Sequence, residues 1–451
     1  MINSLKKSIW QKNVCKKHIC KIRLSKSNLH NENLHNDLGN SLYRALFTHF
    51  VKNLVAILCA CIFINTLSAK SSHSSLRLFI VGDALIHKSV YEDALTAGQN
   101  KQHKGEESLH YDFAKMLELI APISKRHDLA FYNQESILGG THLGLSTYPR
   151  FNSPQEFGLN MLGLGFNLVS LANNHTLDRG EVGVRSMLDF WRKMEARHST
   201  LYTTGSFESF KAQQKIQHKI LRKNDISYAM LAYTYGTNGI PLPQGKEYLV
   251  NIYTKEMLKR DIEAIRAEVD LLIVSIHWGV EYTHTPTKEQ REIAKFLASL
   301  GVDIVIGNHP HAIQPIERIG NTLVFYALGN FISAQVGLQK RVGLIASVRI
   351  DKIQNARKHT NAIKFATKAH PKREQRKSKI NNHIYKKIPK KIKLRNIRAD
   401  LVYTYYKHEQ KMSDFKVYPF GLLNDGLLPN YQSIYKDYIK IIRKDWLIIG
   451  L

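Results

Sequence analysis

The sequence predicts an α/β protein, because short apolar runs rich in β-branched residues alternate with amphipathic helices along much of the chain. The clearest example is residues 271–333, where two such runs end in histidines. These runs are Leu271–Ile276, followed by His277, and Val302–Ile306, followed by His309 and His311. In an open α/β sheet the carboxyl ends of the strands face the ligand crevice. We therefore expect a functional site at this edge of the sheet.

The elements earlier in the chain follow the same order. Each predicted strand ends in polar residues: Leu76–Val81 before Asp83, Asp128–Tyr132 before Glu135, and Asn167–Leu171 before Asn174 and His175. Apolar residues at helical spacing predict helices over residues 112–120, 154–164 and 181–195, the second of them behind a Ser153 cap. The alternation of strands and helices favours a largely parallel sheet.

The remaining elements complete the predicted domain. Strands are expected at Tyr228–Tyr233, Leu323–Leu328 and Gly343–Ile350, and helices at Lys288–Leu300 and Tyr431–Ile442. Residues 399–406 and 415–418 have the pattern of a returning strand pair. We therefore expect a domain over residues 70–350 that is completed by closing strands and a helix from residues 399–451.

Two segments carry most of the net charge of +28. Residues 1–44 hold nine Lys and Arg against two acidic residues, and residues 351–398 hold seventeen against two. We predict a disordered cytoplasmic arm for the first and a basic insertion for the second, whose alternating end could form an edge strand. Such runs are either solvated or attract a polyanion such as anionic lipid, nucleic acid or an acidic polymer.

An apolar segment separates the basic arm from the predicted domain. Leu54–Ile64 is continuously apolar and basic residues precede it, so residues 45–69 are expected to be a signal peptide or a signal anchor. Leu67-Ser68-Ala69 is an acceptable cleavage site, and cleavage and anchoring both stay open. We expect the domain to be extracytoplasmic, either anchored in the membrane or secreted. The four cysteines all precede residue 62, which excludes a disulfide or thiolate site from the domain.

The polar residues at the predicted strand ends have the chemistry of metal ligands. They are Asp83, Glu135, Asn174, His175, His277, His309 and His311. Oxygen and imidazole ligands without sulfur suit Mn, Fe or Zn. Two such ions about 3.5–4 Å apart can clamp both oxygens of an in-line phosphoryl displacement. His175, beside the expected ligand Asn174, would then be free to protonate or stabilise a leaving group.

Each of these residues also has an ordinary explanation. A histidine after a strand is commonly a hydrogen-bonding residue, Asp83 could cap a turn, and Glu135 could lie on the surface. The argument for a metal site rests on the combination, because five predicted strand ends all carry ligand-type side chains.

The same residues carry a family resemblance. The strings GDALIH, FYNQE, LANNHTLDRG, HWGVEY, GNHPH and YALGNF, in this order, resemble the motifs of the CapA/PgsA-like poly-γ-glutamate capsule synthesis proteins. That family is a branch of the calcineurin-like metallophosphoesterase superfamily. The resemblance spans residues 76–350 and resumes at residue 399. It implies a four-layer αββα sandwich of the metallophosphoesterase type.

The resemblance also implies roles for individual residues. Its ligand set is Asp83 on the first metal, Glu135 as the bridge, Asn174, His277 and His309 on the second metal, and His311 on the first. His175 would be the catalytic histidine. Residues that would support these ligands or face the substrate are Asp178, Glu281 and Asn330.

The chain departs from the superfamily pattern at two positions. The usual D-x-H motif is replaced by Asp83 and His87 with three residues between them. Because of this longer spacing, His87 is not expected to reach the metal. Glu135 stands where most metallophosphoesterases have Asp, and its longer side chain is expected to change the affinity for the metal.

Three functions are compatible with these observations. The first is an exported or membrane-anchored component of capsule biosynthesis or export, whose partners are an anionic polymer such as poly-γ-glutamate and membrane synthesis proteins. The second is a stand-alone extracytoplasmic phosphoesterase. The third is a binding scaffold without catalysis. The sequence favours the first, with a hydrolase-like site for two divalent ions, and no nucleic-acid partner is expected.

Overall fold

The computed structural model describes Phe47, His49 and residues 74–98, 108–353 and 391–451. The predicted cytoplasmic arm lies outside these residues, as do most of the predicted signal segment and residues 354–390 of the basic segment. Within the described part of the chain, no helix has both the length and the apolar character needed to cross a membrane.

Most of the strands form the two central layers, and the second and third strands pair only with each other in a separate small sheet. In chain order, the strands are β1 (Ser75–Leu85), β2 (Leu95–Gly98), β3 (Ser108–Tyr111), β4 (Leu129–Gln134), β5 (Leu168–Ser170), β6 (Tyr202–Thr204), β7 (Leu221–Lys223), β8 (Ile226–Thr234), β9 (Leu271–His277), β10 (Ile304–Asn308), β11 (Ile316–Ile319), β12 (Thr322–Phe325), β13 (Asn330–Ser333), β14 (Val342–Lys352), β15 (Ile392–His408), β16 (Met412–Pro419) and β17 (Ile448–Ile449).

Helices connect these strands and cover the outer faces. They are α1 (Lys88–Asp93), α2 (Ala114–Leu117), α3 (Ala121–Ser124), α4 (Glu156–Gly163), α5 (Gly180–Arg197), α6 (Phe210–Gln217), α7 (Lys255–Arg266), α8 (Lys288–Ser299), α9 (Leu338–Arg341) and α10 (Tyr431–Ile442). A capping box begins α8, since the Thr287 hydroxyl accepts from the Gln290 amide while the Gln290 side chain accepts from the Thr287 amide.

The first sheet has the strand order β16-β15-β14-β1-β4-β5-β6. Its β1, β4, β5 and β6 are parallel, whereas β14, β15 and β16 run antiparallel to their neighbours. Strand β13 pairs with the end of β1, and β17 pairs with β15. The second sheet has the order β11-β12-β10-β9-β8-β7, with parallel strands in its centre.

The two sheets pack face to face across one apolar layer. Leu78 and Ile80 of β1 contribute to this layer together with Met230, Ile273 and Ile304 of the second sheet. A second apolar cluster lies between the first sheet and helices that include α4 and α5, and a third lies between the second sheet and α7 and α8. This order of layers confirms the predicted αββα sandwich. All three clusters lie within the compact unit formed by residues 73–451, which therefore has its own core.

The structure differs from the sequence prediction in local detail. The predicted Ser153 cap is wrong, since α4 begins at Glu156 and the Ser153 hydroxyl donates to the Ile86 carbonyl oxygen at 3.4 Å. Within the predicted helix over residues 112–120 only the short α2 is an α-helix, and the next helix, α3, begins at Ala121. By contrast, the strand predicted at the alternating end of the basic segment is present, since β15 begins at Ile392 and its first part pairs with β14.

Glycines allow the loops at one edge of the sheets to approach closely. A Cβ atom on Gly82 would overlap the carbonyl oxygen of Gly329, and one on Gly307 would overlap the carbonyl oxygen of Tyr326. Both oxygens belong to the backbone and cannot move aside as a flexible side chain would. Side chains at these two positions would push apart the strand ends that carry Asp83 and His309.

We expect Gly82→Ala to lower the free energy of unfolding by about 1–3 kcal/mol, because the added methyl group overpacks a backbone contact. Gly163→Ala is the matched control, since no atom lies within 4 Å of its added Cβ in α4. A helical Gly→Ala change without a clash is expected to stabilise by about 0.5–1 kcal/mol. Urea denaturation of the two variants measures both effects, and equal stabilities would contradict the packing argument.

Candidate metal centre

The candidate site lies at the carboxyl edge of both sheets, where their parallel strands end. Asp83 lies within β1, and His277 is the last residue of β9. Glu135 directly follows β4, and His309 directly follows β10. The structure therefore brings together side chains that are up to 226 positions apart in the sequence.

Three overlapping groups of side chains have the spacing of metal ligands. They are Asp83 with Glu135 and His311, Glu135 with His277 and His309, and Glu281 with His309 and His311. In each group the ligand atoms all lie within 4.8 Å of one another. Glu135 belongs to the first two groups. These largely buried groups could hold a metal ion.

The Glu135 carboxylate receives no hydrogen bonds from the described residues of the protein. The side chain is also fully buried. Burial raises its pKa to about 8, although the nearby His311 acts in the opposite direction. A buried carboxylate without donors is costly, and a bound cation is one way to offset that cost. The donor set therefore fits a divalent ion.

Two of the histidines are neutral near physiological pH. Burial lowers the pKa of His277 to about 3 and that of His309 to about 2. The two rings lie 4.8 Å apart, and Nδ1 of His309 has no hydrogen-bond partner among the described residues. Neutral imidazole is the form that binds metals. Both rings are thus ready to act as ligands without losing a proton.

His311 differs from these two in its charge. Burial alone would lower its pKa, but the carboxylates of Glu135 and Asp83 outweigh this effect and raise the pKa to about 9. Its Nε2 lies 3.5 Å from Glu135 Oε1, and its Nδ1 lies 3.6 Å from Asp83 Oδ2. Without a metal ion, a proton held by His311 partly takes the place of a cation between the two carboxylates.

Buried amides hold these ligands in place. Asn330 Oδ1 accepts from His311 Nδ1 at 2.9 Å, and Asn174 Oδ1 accepts from His277 Nε2 at 2.9 Å. Asn133 Nδ2 donates to Asp83 Oδ1 at 2.8 Å. Burial would raise the pKa of Asp83, but His311, His277 and Asn133 together lower it below its usual value. Asp83 is therefore held as a carboxylate.

The loop that carries His309 and His311 has strained backbone geometry. Both residues have positive φ, 97° and 54° respectively, which is uncommon for residues other than glycine. The carbonyl oxygen of Pro310 between them accepts from the Tyr282 amide at 2.7 Å. Strain of this kind clusters at functional sites, where the surrounding structure imposes it.

His175 and Asp178 form a pair beside the ligand groups. His175 Nδ1 donates to Asp178 Oδ2 at 2.7 Å, and the same oxygen accepts from the Phe151 amide at 2.6 Å. The Phe151 ring meets the His175 ring edge to face at 4.7 Å between centroids. These contacts fix the orientation of the imidazole and leave Nε2 as its free nitrogen.

A cleft of about 380 Å³ opens beside the pair. Asn174, His175, Glu281 and His311 contribute to its wall, and Tyr148, Arg150, Tyr282 and Gln335 are among its other lining residues. Tyr148 is 76% exposed, which places it at the rim of the cleft. The cleft connects the ligand groups with solvent.

The structure does not bring His87 into the three ligand groups. Its ring packs edge to face on Phe151 at 5.1 Å, and its Nδ1 lies 3.0 Å from the Leu85 carbonyl oxygen. Burial lowers its pKa to about 4. His87 is thus part of the cleft wall.

The sequence prediction missed several residues of the site. Asn133 contacts both Asp83 and His277, and Tyr235 lies 4.8 Å from the His309 ring. Asn238 Oδ1 accepts from Asn174 Nδ2 at 3.1 Å. One available signal was the position of Asn133 inside a completely buried strand, where a polar side chain needs a partner.

Comparison with known proteins gives matches over this same region. Residues 77–335 match the family described as "Bacterial capsule synthesis protein PGA_cap". The chain is 29% identical over 226 residues to the PGA biosynthesis protein CapA of Bacillus subtilis (strain 168). This alignment covers 48% of this chain and 56% of that protein. It is 29% identical over 175 residues to the capsule biosynthesis protein CapA of Bacillus anthracis, covering 38% and 41% respectively.

These alignments span about half the length of the curated relatives. Among solved structures, a hypothetical protein from Thermus thermophilus is similar, with 14% identity and a TM-score of 0.37 over 62% of this chain and 94% of that chain. The family match covers all the ligand groups and more than half of the sequence. The chain belongs to the bacterial capsule synthesis protein family.

Proposed function

We propose that the protein is an exported capsule biosynthesis protein of the poly-γ-glutamate type, with a hydrolase-like centre for two divalent metal ions. The observation that carries the metal centre is the fully buried carboxylate of Glu135, which has no hydrogen-bond partner among the described residues and is shared by two ligand groups. A shared carboxylate is the arrangement expected of a bridging ligand.

The proposed ligands divide between the two ions. Asp83 and His311 would hold the first ion, His277, His309 and Asn174 would hold the second, and Glu135 would contribute to both. Glu281 Oε1 lies 4.0 Å from His311 Nε2, close enough to change the electrostatic environment of the first ion. When bound, the two ions would supply Lewis-acid stabilisation of the charge that develops on a phosphoryl or carbonyl oxygen.

His175 is the proposed proton donor. Asp178 accepts from its Nδ1 and holds the ring in one orientation, so a proton can be held or transferred at Nε2. This nitrogen belongs to a ring that lines the cleft, where a leaving group of the substrate would lie. Donation at a leaving group by a positioned histidine typically contributes about 10²–10⁴-fold to the rate.

The role in capsule formation rests on family membership and on the basic sequence. The proposed partners are an anionic polymer such as poly-γ-glutamate and membrane proteins of a synthesis complex, and residues 45–69 are the proposed export or anchoring segment. A stand-alone extracytoplasmic phosphoesterase is the second candidate. The cleft volume of about 380 Å³ supports this second candidate, because a small substrate would fill the cleft.

The proposed ligands predict metal content. We expect the purified protein to bind about two divalent ions per chain, and His309→Ala/His311→Ala to lose most of both, since each group of ligand atoms contains one of these histidines. The exposed pair His198→Ala/His218→Ala is the matched control. Elemental analysis after gel filtration measures the content. Metal content that is unchanged by the first substitution would refute the ligand assignment.

Metal binding is also expected to release protons. The raised pKa of Glu135, about 8, and of His311, about 9, mean that this pair retains protons at pH 7 that a cation must displace. The apparent affinity for the metal should therefore rise as the pH rises from 6 to 9. Calorimetry in buffers of different ionisation enthalpy counts the released protons. An affinity that does not change over this range would contradict the assignment.

The proposed proton donor predicts an effect on catalysis without metal loss. His175→Ala should reduce kcat toward a generic phosphodiester by about 10²–10⁴-fold while metal content stays constant. Asp178→Asn should reduce it less, because the ring remains but its orientation is no longer fixed. Hydrolysis of a dialkyl phosphodiester, whose alkoxide leaving group needs a proton, and of poly-γ-glutamate would be followed in parallel. Full activity of His175→Ala on whichever of these two substrates the unsubstituted protein cleaves would exclude this role.

A further inference from the structure

A row of arginines crosses the first sheet far from the metal centre. Arg77 of β1 is directly opposite Arg349 of β14, and Arg349 is directly opposite Arg395 of β15. Residues in register on neighbouring strands project from the same face of a sheet. Neighbouring strands lie about 4.8 Å apart, so three guanidinium groups project side by side from an outer face.

A bulge in β15 adds a fourth arginine to this face. Simple alternation would place Arg395 and Arg398 on opposite faces, because they are three residues apart. The pairing of β14 with β15 shifts register here, and Asn396 has a positive φ of 44°. As a result Ile397 is buried, and Arg398 is exposed like Arg395. We call Arg77, Arg349, Arg395 and Arg398 the arginine ladder.

Acidic residues neutralise only part of the arginine ladder. Asp351 accepts from Arg349 Nε at 2.7 Å and lies 3.3 Å from Arg395 Nε. Arg398 donates to the backbone oxygen of Gly450, and the Arg77 side chain has no ion-pair partner among the described residues. Like charges directly opposite each other across strands are destabilising. An anionic ligand would remove this repulsion.

The arginine ladder lies beside the point where the chain enters the folded unit. The Lys352 amide donates to the Ser74 carbonyl oxygen at 2.9 Å, next to the β1 residue Ser75, which is opposite Asp351. In the sequence, only residues 70–74 separate Ser75 from the predicted export segment 45–69.

The neighbourhood of the arginine ladder also has an apolar component. Ile448 of β17 is opposite Arg398 in the parallel pairing, and both Ile448 and the terminal Leu451 are 39% exposed. Cationic side chains next to exposed aliphatic side chains are typical of surfaces that bind at the headgroup level of a bilayer. The arginines lie on three neighbouring strands. A row of this kind suits an array of headgroups better than a single enclosed anion.

We propose that the arginine ladder is a docking surface for anionic phospholipid headgroups. Arg77 and Asp83 both lie in β1, and the six-residue step between these positions, at about 3.3 Å per residue, separates the arginine ladder from the metal centre by about 20 Å. Lipid docking would thus leave the metal cleft clear of the bilayer. This surface is independent of the chemistry proposed for the metal centre.

The test uses residues 73–451, the unit with its own apolar core, so that insertion of the export segment does not mask surface binding. Arg77→Gln/Arg395→Gln/Arg398→Gln removes three charges from the arginine ladder. Lys255→Gln/Lys259→Gln/Lys295→Gln removes three exposed charges from α7 and α8 and is the matched control. Both variants retain residues 354–390, so the charge of that segment is the same in each comparison.

Binding is measured by co-sedimentation with vesicles of phosphatidylcholine alone or mixed with phosphatidylglycerol. We expect binding only to the anionic vesicles, weakened about fivefold for each arginine removed and scarcely changed in the lysine control. Equal binding by the two variants would overturn the proposal. Loss of poly-γ-glutamate binding with unchanged vesicle binding would also overturn it, by assigning the ladder to the polymer. A circular dichroism spectrum and a urea unfolding midpoint equal to those of the unsubstituted fragment confirm that the arginine variant is folded.

Discussion

The burial of the Glu135 carboxylate is the constraint on which the site depends. Water is excluded from this side chain, so its charge must be compensated by a proton, by His311 or by a cation. The amides of Asn133, Asn174 and Asn330 bind its neighbours and leave both of its oxygens without donors. The polar network thus binds Asp83, His277 and His311, and leaves the central carboxylate available for a further interaction.

The convergence of these ligands follows from how the two sheets meet. Each sheet supplies only part of the set, since Asp83 and Glu135 come from the first sheet and His277 and His309 from the second. Close backbone approaches at Gly82 and Gly307 hold the strand ends together at this edge. The packing of one apolar layer therefore determines the spacing of charged atoms at its margin, which couples the stability of the sandwich to the geometry of the site.

The alternation of apolar runs and helices predicted an α/β fold and most of the strands that lead to the site, whereas the four-layer arrangement was implied by the family resemblance. Spacing also indicated the residues at the strand ends, because each lies within a few residues of an apolar run. The partners of those residues were not predictable, since Asn133 and Asn238 acquire their contacts only through strand order and register. His87 shows that closeness in sequence does not by itself predict a contact. It is near Asp83 in the sequence, yet its ring packs on Phe151. The position of Arg77 opposite Arg349 likewise depends on pairing between distant segments.

The hydrogen bond from the Ile353 amide to the Lys391 carbonyl oxygen closes the β14–β15 pair where residues 354–390 leave and return. Because the strand pair is complete without that connection, its length is under little constraint from the core. In general, the entropic cost of closing a loop grows slowly with its length, by about 0.6 kcal/mol for each doubling. Insertions and deletions at this junction can therefore accumulate during evolution while the spacing of the metal ligands is preserved.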